Sequence, residues 1–369
     1  MKNPDSNKAD GPNVRVLLTD ENKGFGGAER HVLTLATELS TSGILDAVVA
    51  RPKSWLAQNI GEIPLHPVGF RNEVDMLSVF SLYRRLKSSG ATVLHCIGHR
   101  DLVASALARQ LPGAPKTVLI KAEHSFPDPN LSPLFRWAYG QCHAIAAVSE
   151  ALLKSVKDAV SPNEQTRLVT VHNGISLDSE LQRCPPPEDR PLRVGVLSPL
   201  RPGKGHEDFL KAAAKLQKTE DFSLHVSIAG DGELKKDLRE LADSLELDVD
   251  FLGHVDDPLD YLTSLDVSVV PSHRETFSLV TLESMFCGRP IIAARSAGVE
   301  ETCRDYPARF YSVGDGEELF SALAEFCRNP SSFQDEAFTA AESARRTFHS
   351  QRMMENYSTL YRELLDTVW

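Results

Sequence analysis

Apolar residues recur along this chain in short, β-branched runs separated by stretches of helical period. The first run is Val14-Arg-Val-Leu-Leu-Thr19, followed by a loop over 20–27 and an amphipathic stretch that predicts a helix over 28–39. Similar runs predict strands near 47–50, 92–96, 117–120 and 144–148, with a helix over 101–110. A second series follows, with strands near 193–197, 224–229, 249–252, 267–270 and 290–293, and helices between them. Runs that are apolar throughout, rather than alternating, fit parallel strands buried on both faces. Strands alternating with helices predict a doubly wound α/β domain in each half of the chain. Near the end, Met354, Tyr357, Leu360, Tyr361 and Leu364 fall at helical spacing and predict a helix over 351–365 with one buried face.

Three consecutive prolines among charged residues mark 179–191 as a connector, because they cannot continue a helix and favour an extended chain. The expected organisation is a disordered tail over 1–12, a first domain over 13–178, the linker 179–191, a second domain over 192–347 and a terminal helical segment over 348–369. A chain of 369 residues with 41% hydrophobic content supports two cores of this size. The net charge of −11 argues against nucleic acid, which calls for a basic stripe along the phosphates. The six cysteines are scattered without C-x-x-C spacing, so neither a zinc site nor a disulfide framework is expected. The polar first residues lack a signal-peptide core and no run of eighteen apolar residues occurs, which leads to the expectation of a cytoplasmic protein.

Candidate chemistry concentrates where strands end. After the run 267–270, Pro271-Ser272 leads into a loop carrying Glu275, and a helix predicted to open at 276 or 277 carries Glu283. Such a helix leaves the amides of Phe277, Ser278 and Leu279 without intrahelical partners, with the positive end of the dipole behind them, so that a phosphate would sit there. After the run 193–197, Arg201-Pro-Gly-Lys204-Gly205 places two cations on a loop of the same type, ahead of a helix starting near Glu207. Two fixed cations beside a diphosphate would offset its charge without a metal ion. Gly230-Asp231-Gly232 is a turn at a strand end, where backbone can approach a ligand. In the first half, Gly24, Gly26 and Gly27 precede a helix, but Glu29 stands where the dinucleotide fingerprint needs a third Gly or Ala, which counts against a dehydrogenase. His95, His99 and His124 fall near strand ends, yet no acid or thiol on the same loops completes a ligand set, and no metal is expected. Asp248-Val-Asp250 leads into Phe251-Leu252 and reads as a strand entrance.

With Gly26-Gly-Ala-Glu-Arg30, Arg201 and Lys204 followed by Gly205, Gly230-Asp-Gly232, and Glu275-x7-Glu283 followed by Cys-Gly-Arg-Pro-Ile-Ile, the chain resembles the retaining GT-B glycosyltransferases of glycosyltransferase family 4 (glycosyl transferases group 1) over about 14–366. The resemblance implies two Rossmann-like domains facing a cleft, with the C-terminal helix crossing back to the first domain. It implies a first domain that binds the acceptor and a second that binds a nucleotide sugar. It assigns Arg201 and Lys204 to the leaving diphosphate and Glu275 to the donor sugar. His124 goes to the sugar or its phosphate, Glu283 to the ribose, and Gly27, Gly230 and residues 277–279 to donor contacts. His99, Arg100 and Glu29 are candidate acceptor residues. Family members often carry Gly at the positions of Thr276 and Ser278, so this chain departs there. The implied activity is retaining, metal-independent transfer from a nucleotide-diphosphate sugar, UDP-sugar favoured and GDP-mannose the other candidate, to a hydroxyl of a glycan, glycolipid or lipopolysaccharide-type acceptor, with no cofactor. The alternatives are a sugar-nucleotide epimerase or hydrolase on the same fold and a catalytically silent binder. Tyr83-Arg-Arg-Leu-Lys87 and Phe135-Arg-Trp137 read first as solvated helix faces and second as weak peripheral contacts with the inner face of a membrane.

Overall fold

The computed structural model describes residues 13–24, 26–128, 130–160, 162–177, 180–184, 190–220 and 222–369. The tail predicted over 1–12 and part of the predicted linker lie outside them. Two units emerge, the first running to Gly174 and completed by Ser350–Trp369, the second spanning Ile175–His349.

The first unit is built on a seven-stranded sheet: β1 (Val16–Asp20), β2 (Leu45–Ala50), β3 (Leu65–Pro67), β4 (Val93–Cys96), β5 (Val118–Glu123), β6 (Ala144–Ala147) and β7 (Arg167–Thr170). Every pairing is parallel and the order is β3-β2-β1-β4-β5-β6-β7. All residues of β1, β4, β5 and β6 are buried, which is why their sequences are mostly apolar or small, the charged or titratable exceptions being Asp20, His95, Lys121 and Glu123. The terminal helix Ser350–Val368 belongs to this unit. It buries Met353, Tyr357, Leu360, Tyr361, Leu364 and Leu365 among Val32, Leu35 and the central strands. Met354, expected on its buried face, is only partly covered.

The second unit carries a six-stranded parallel sheet: β8 (Leu192–Leu197), β9 (Leu224–Ala229), β10 (Val249–Gly253), β11 (Val267–Val270), β12 (Ile291–Ala294) and β13 (Arg309–Tyr311). Its order is β10-β9-β8-β11-β12-β13. Asp250 lies inside β10, opposite Ser227 of β9, with its carboxylate against His225, as befits an edge strand rather than a metal site. At the base of the sheet, buried Asp266 accepts from Arg190 (2.6 and 2.8 Å) and from the amide and guanidinium of Arg193 (2.8 and 3.0 Å). These bonds hold its carboxyl well below the usual range despite burial.

In both sheets the strand order reverses once, between β1 and β4 and between β8 and β11. The crevice outside the carboxyl ends of the strands at such a reversal is where ligands bind in doubly wound sheets. No helix among the described residues is long and apolar enough to cross a membrane.

Candidate active site

At the reversal in the second unit, the loop after β8 meets the loop after β11. Gly205 makes the approach possible: it sits at φ +70°, and a Cβ there would lie 2.0 Å from the carbonyl oxygen of Pro271. The amide of His273 donates to the carbonyl of Gly203 at 2.9 Å, fixing the two loops side by side. Lys204 is thereby brought against Glu275, Nζ to Oε1 at 2.6 Å, across 71 residues of sequence. Both side chains keep part of their surface in water. Arg201, on the same loop, is exposed. The cation pair and the first carboxylate predicted from sequence are thus held on neighbouring loops of one sheet edge.

The helix after β11 starts later than the sequence suggests. It spans Leu279–Phe286, and Ser278 is its N-cap, so the opening expected at 276 or 277 is corrected by two to three residues. The amides lacking intrahelical acceptors are accordingly those from Leu279 onward, and Ser278 Oγ already accepts from the amide of Thr281 at 3.3 Å. The reason is backbone geometry: Ser278 sits at φ +64°, ψ 92°, which ends the loop there and blocks a helical turn through Phe277. That is a glycine-favouring conformation, so the departure noted at this position places a serine where the backbone prefers none. A hydrogen bond from Thr281 Oγ1 to Ser278 Oγ at 2.7 Å helps hold it. Phe277 is buried, stacked edge-on against Phe348.

Glu283 is fully buried and shows no surface to a ligand in this conformation. Gly230 sits at φ +141° with its missing Cβ 2.0 Å from the carbonyl of Ser198, and its amide donates to Gly253 at 2.7 Å. The glycine is therefore explained by loop packing, and its amide is already used. Gly298, which the sequence does not single out, is a further close approach: a Cβ there would lie 2.4 to 2.5 Å from the backbone of Glu275 and Thr276. No local pattern distinguishes it from a surface-turn glycine.

In the first unit, Gly27 opens the helix Gly27–Thr41 and Gly26 is its extended N-cap. Glu29 is buried in the first turn, and burial raises its pKa. The reversal between β1 and β4 is bridged by Glu21, whose Oε1 accepts from the amides of His99 (2.9 Å) and Arg100 (3.0 Å) at the start of helix Arg100–Gln110. Arg100 returns a contact to Glu21 at 3.5 Å. Sequence reading missed Glu21, because an acid just after a strand gives no sign of capping a helix 78 residues away. Beside it, Asp20 is buried and its carboxyl is pushed up to about 7, chiefly by loss of water and then by the neighbouring acids Asp101, Glu29 and Glu21. The His99 ring meets the Tyr139 hydroxyl at 3.1 Å and lies tilted against Phe135, ring centroids 5.2 Å apart, with its pKa lowered by burial.

His124 follows β5, its ring 4.2 Å from that of His31. Burial, then the neighbours His31 and Lys121, hold its pKa well below the usual value. At neutral pH it is an uncharged hydrogen-bonding ring rather than a cation. Behind it, Lys121 and Glu123 form a buried pair at 3.0 Å, and His95 Nδ1 meets the Tyr361 hydroxyl at 2.7 Å, tying the terminal helix to β4. His31, His95 and His124 gather here, but no group of three or more His, Cys, Asp or Glu among the described residues is arranged to hold a metal ion.

Two parallel-sheet Rossmann-like units with a terminal helix returned to the first define the GT-B class of glycosyltransferase. A family model described as glycosyl transferases group 1 matches residues 191–329, and one described as glycosyltransferase family 4 matches 25–179. Together they take in most of the chain, and the chain belongs to this family. It is 27% identical over 248 residues to an N-acetyl-alpha-D-glucosaminyl L-malate synthase of Bacillus anthracis, a match covering 64% of each chain. It is 26% identical over 362 residues to a Campylobacter jejuni alpha-1,4-N-acetyl-D-galactosaminyltransferase named for an undecaprenol-linked glycan, covering 92% of this chain and 96% of that one. A third match, 35% identical over 127 residues, covers 31% of this chain and 27% of the length of a D-inositol 3-phosphate glycosyltransferase from Geodermatophilus obscurus. Among solved structures, Anabaena HepE in complex with UDP superposes with a TM-score of 0.80 at 18% identity, covering 94% of this chain and 99% of that one.

Proposed function

We propose that this protein is a retaining, metal-independent glycosyltransferase that moves a sugar from a nucleotide-diphosphate sugar, with a UDP-sugar favoured, to a hydroxyl of a glycan or glycolipid acceptor. The observation that carries this reading is the contact between Lys204 and Glu275 at the strand-order reversal of the second unit. A cation and a carboxylate on adjoining loops suit a ligand with a phosphate at one end and hydroxyls at the other. When the donor enters, Lys204 turns to the diphosphate and Glu275 is released to the sugar hydroxyls. The UDP bound by HepE and the lipid-linked glycan in the Campylobacter enzyme's name support the donor and acceptor classes.

The mechanism follows from charge. Breaking the bond from the anomeric carbon to the diphosphate builds positive charge on the ring and negative charge on the leaving oxygen. Arg201, Lys204 and the helix amides from Leu279 onward stabilise that oxygen, while neutral His124 offers a hydrogen bond to the sugar. Retention and independence from metal rest on the family resemblance. A ribose role for Glu283 requires the groups that cover its carboxylate to move aside. Acceptor roles remain with His99, Arg100 and Glu29. Glu21 already occupies the amides of His99 and Arg100, which favours an uncharged hydroxyl acceptor there over a carboxylate.

The test is a thermal-shift and titration panel of UDP- and GDP-sugars with chelator present, followed by turnover of Arg201→Ala and Lys204→Ala with the stabilising donor. Each variant is expected to lose about 10²- to 10³-fold in rate, as for other preorganised donors to a developing anion, while still folding. Near-wild-type turnover in both would refute the assignment. A donor that binds but is released intact would move the protein to the silent class, and one hydrolysed or epimerised without acceptor would move it to the other enzyme class.

A further inference from the structure

The helix Met76–Ser89 of the first unit presents two opposed stripes. Val79, Leu82 and Leu86 are buried against the unit's core side. Facing out are Met76 at 45% exposure, Leu77 at 67% and Phe80 at 47%, joined by Val74 at 46% in the preceding loop. Arg84 and Lys87 continue the same outward stripe, at the i, i+3, i+7, i+10 spacing that begins with Leu77 and Phe80. The stripe from 77 to 87 is about 15 Å long. In a chain of net charge −11, this helix carries three basic residues and no acid. Arg85 is ion-paired with Asp46 at 2.7 Å, whereas Lys87 lies over the Tyr83 ring at 5.5 Å and, like Arg84, keeps its charge exposed to solvent.

We infer that this face docks on an anionic lipid surface, with Leu77, Phe80 and their apolar neighbours entering the headgroup boundary and Arg84 and Lys87 pairing with lipid phosphates. A grouped apolar patch beside exposed cations is the pattern of a helix lying in a membrane interface. A second copy of the chain would meet the stripe with itself, and a helix without acids leaves its cations uncompensated in such an isologous contact. An anionic bilayer supplies both the counter-charge and the apolar medium. The position also serves the proposed reaction. In a parallel sheet each helix starts at the carboxyl edge, so the apolar end of this one lies on the same edge of the first unit as Gly27, His99 and His124. A glycan presented on a lipid at the bilayer surface would thus reach the edge where the acceptor residues gather. Docking itself stands whether or not the transfer reaction does, because it is read without donor or acceptor.

The experiment is flotation of the full chain with vesicles of phosphatidylcholine alone and of phosphatidylcholine with phosphatidylglycerol, at low and high salt. Binding to the anionic vesicles is expected, weakening with salt. The double variant Arg84→Glu, Lys87→Glu should bind at least about 30-fold more weakly, from roughly fivefold per cation near an anionic surface. Leu77→Ser with Phe80→Ser should also lower binding. All four side chains are exposed, so unchanged melting of the variants confirms that they fold. Wild type that stays in buffer at low salt, or variants that float as well as wild type, would overturn the inference. Self-association abolished by Leu77→Ser, without vesicle binding, would overturn it in favour of a second copy.

Discussion

Two glycines of one loop, Gly203 and Gly205, separate what holds the second unit's site together. Both are left-handed, at φ +79° and +70°, but a Cβ at 203 would meet nothing within 4 Å, whereas one at 205 would lie 2.0 Å from the Pro271 oxygen. Gly203→Ala should therefore cost only the left-handed conformation, about 1 kcal/mol after the unfolded chain's lost entropy is counted. Gly205→Ala carries the same cost plus a backbone clash. A carbon and an oxygen need a little over 3 Å, so the two loops must part by roughly 1 Å, and overpacking of this kind adds about 2 kcal/mol. For a unit of this size 1 kcal/mol corresponds to about 2–4 °C, giving a fall of about 3 °C for Gly203→Ala and about 9 °C for Gly205→Ala in the calorimetric transition of the second unit. The same displacement would stretch the 2.6 Å contact of Lys204 with Glu275 beyond direct hydrogen bonding. Titration with the donor should show Gly205→Ala losing affinity and Gly203→Ala keeping it. Equal melting shifts and equal affinities in the two variants would refute the idea that the approach of Gly205 to Pro271 sets the pairing of Lys204 and Glu275.

Two further outcomes test the frames around the sites. Burial keeps His31 neutral down to about pH 4, so between 6.5 and 4 the unfolded chain takes up a proton that the native chain refuses, and stability falls with pH by roughly 3 kcal/mol on this account. Asp20, pushed up to about 7, acts in the opposite sense over an overlapping range, so the measurement is a difference. His31→Gln should gain on wild type in melting temperature as pH drops from 7 to 4, and parallel profiles would show that His31 carries no such penalty. Asp266→Asn leaves Arg190 and Arg193 without their shared anion. As both arginines are partly exposed, a loss of about 2–3 kcal/mol is expected, below that of a fully buried pair, and a second-unit transition unmoved in calorimetry would contradict it.

Burial explains which elements could be read from sequence. Strands β1, β4, β11 and β12 stand out because they are buried throughout, and β8 because only Arg193 and Leu197 keep any surface, so apolar or small residues dominate all five. Strands β3, β7 and β13 were missed because they lie at the sheet edges, half-exposed and only three or four residues long. The late start of helix Leu279–Phe286 was missed for a different reason: its boundary is set by the positive φ of Ser278, and serine does not announce that conformation. Lys204 and Glu275 were both legible as residues, but their contact was not. It depends on β8 and β11 being neighbours, a long-range fact about strand order.

The two strand-order reversals show how one fold can be given opposite electrostatic tasks. In the first unit Glu21 sits on the amides that open helix Arg100–Gln110, and Asp20, Glu29 and Asp101 stand nearby. A helix start that elsewhere attracts anions is occupied by the protein's own carboxylate, within a field that repels another negative charge. In the second unit the corresponding place holds Lys204 and, on the same loop, Arg201. Its carboxylates are matched by partners, Glu275 by Lys204 at 2.6 Å and Asp208 by the ring of His273 at 2.9 Å. A diphosphate approaching there meets one exposed cation and a second that need only exchange one anion for another. A phosphate approaching the first unit would have to displace Glu21, and the cations beside it, Arg100 and Arg51, are both turned toward that acid. On the proposed reading, a division between a phosphate-binding half and a hydroxyl-binding half would be carried by the few side chains placed where each sheet changes direction, since the two sheets are otherwise built alike.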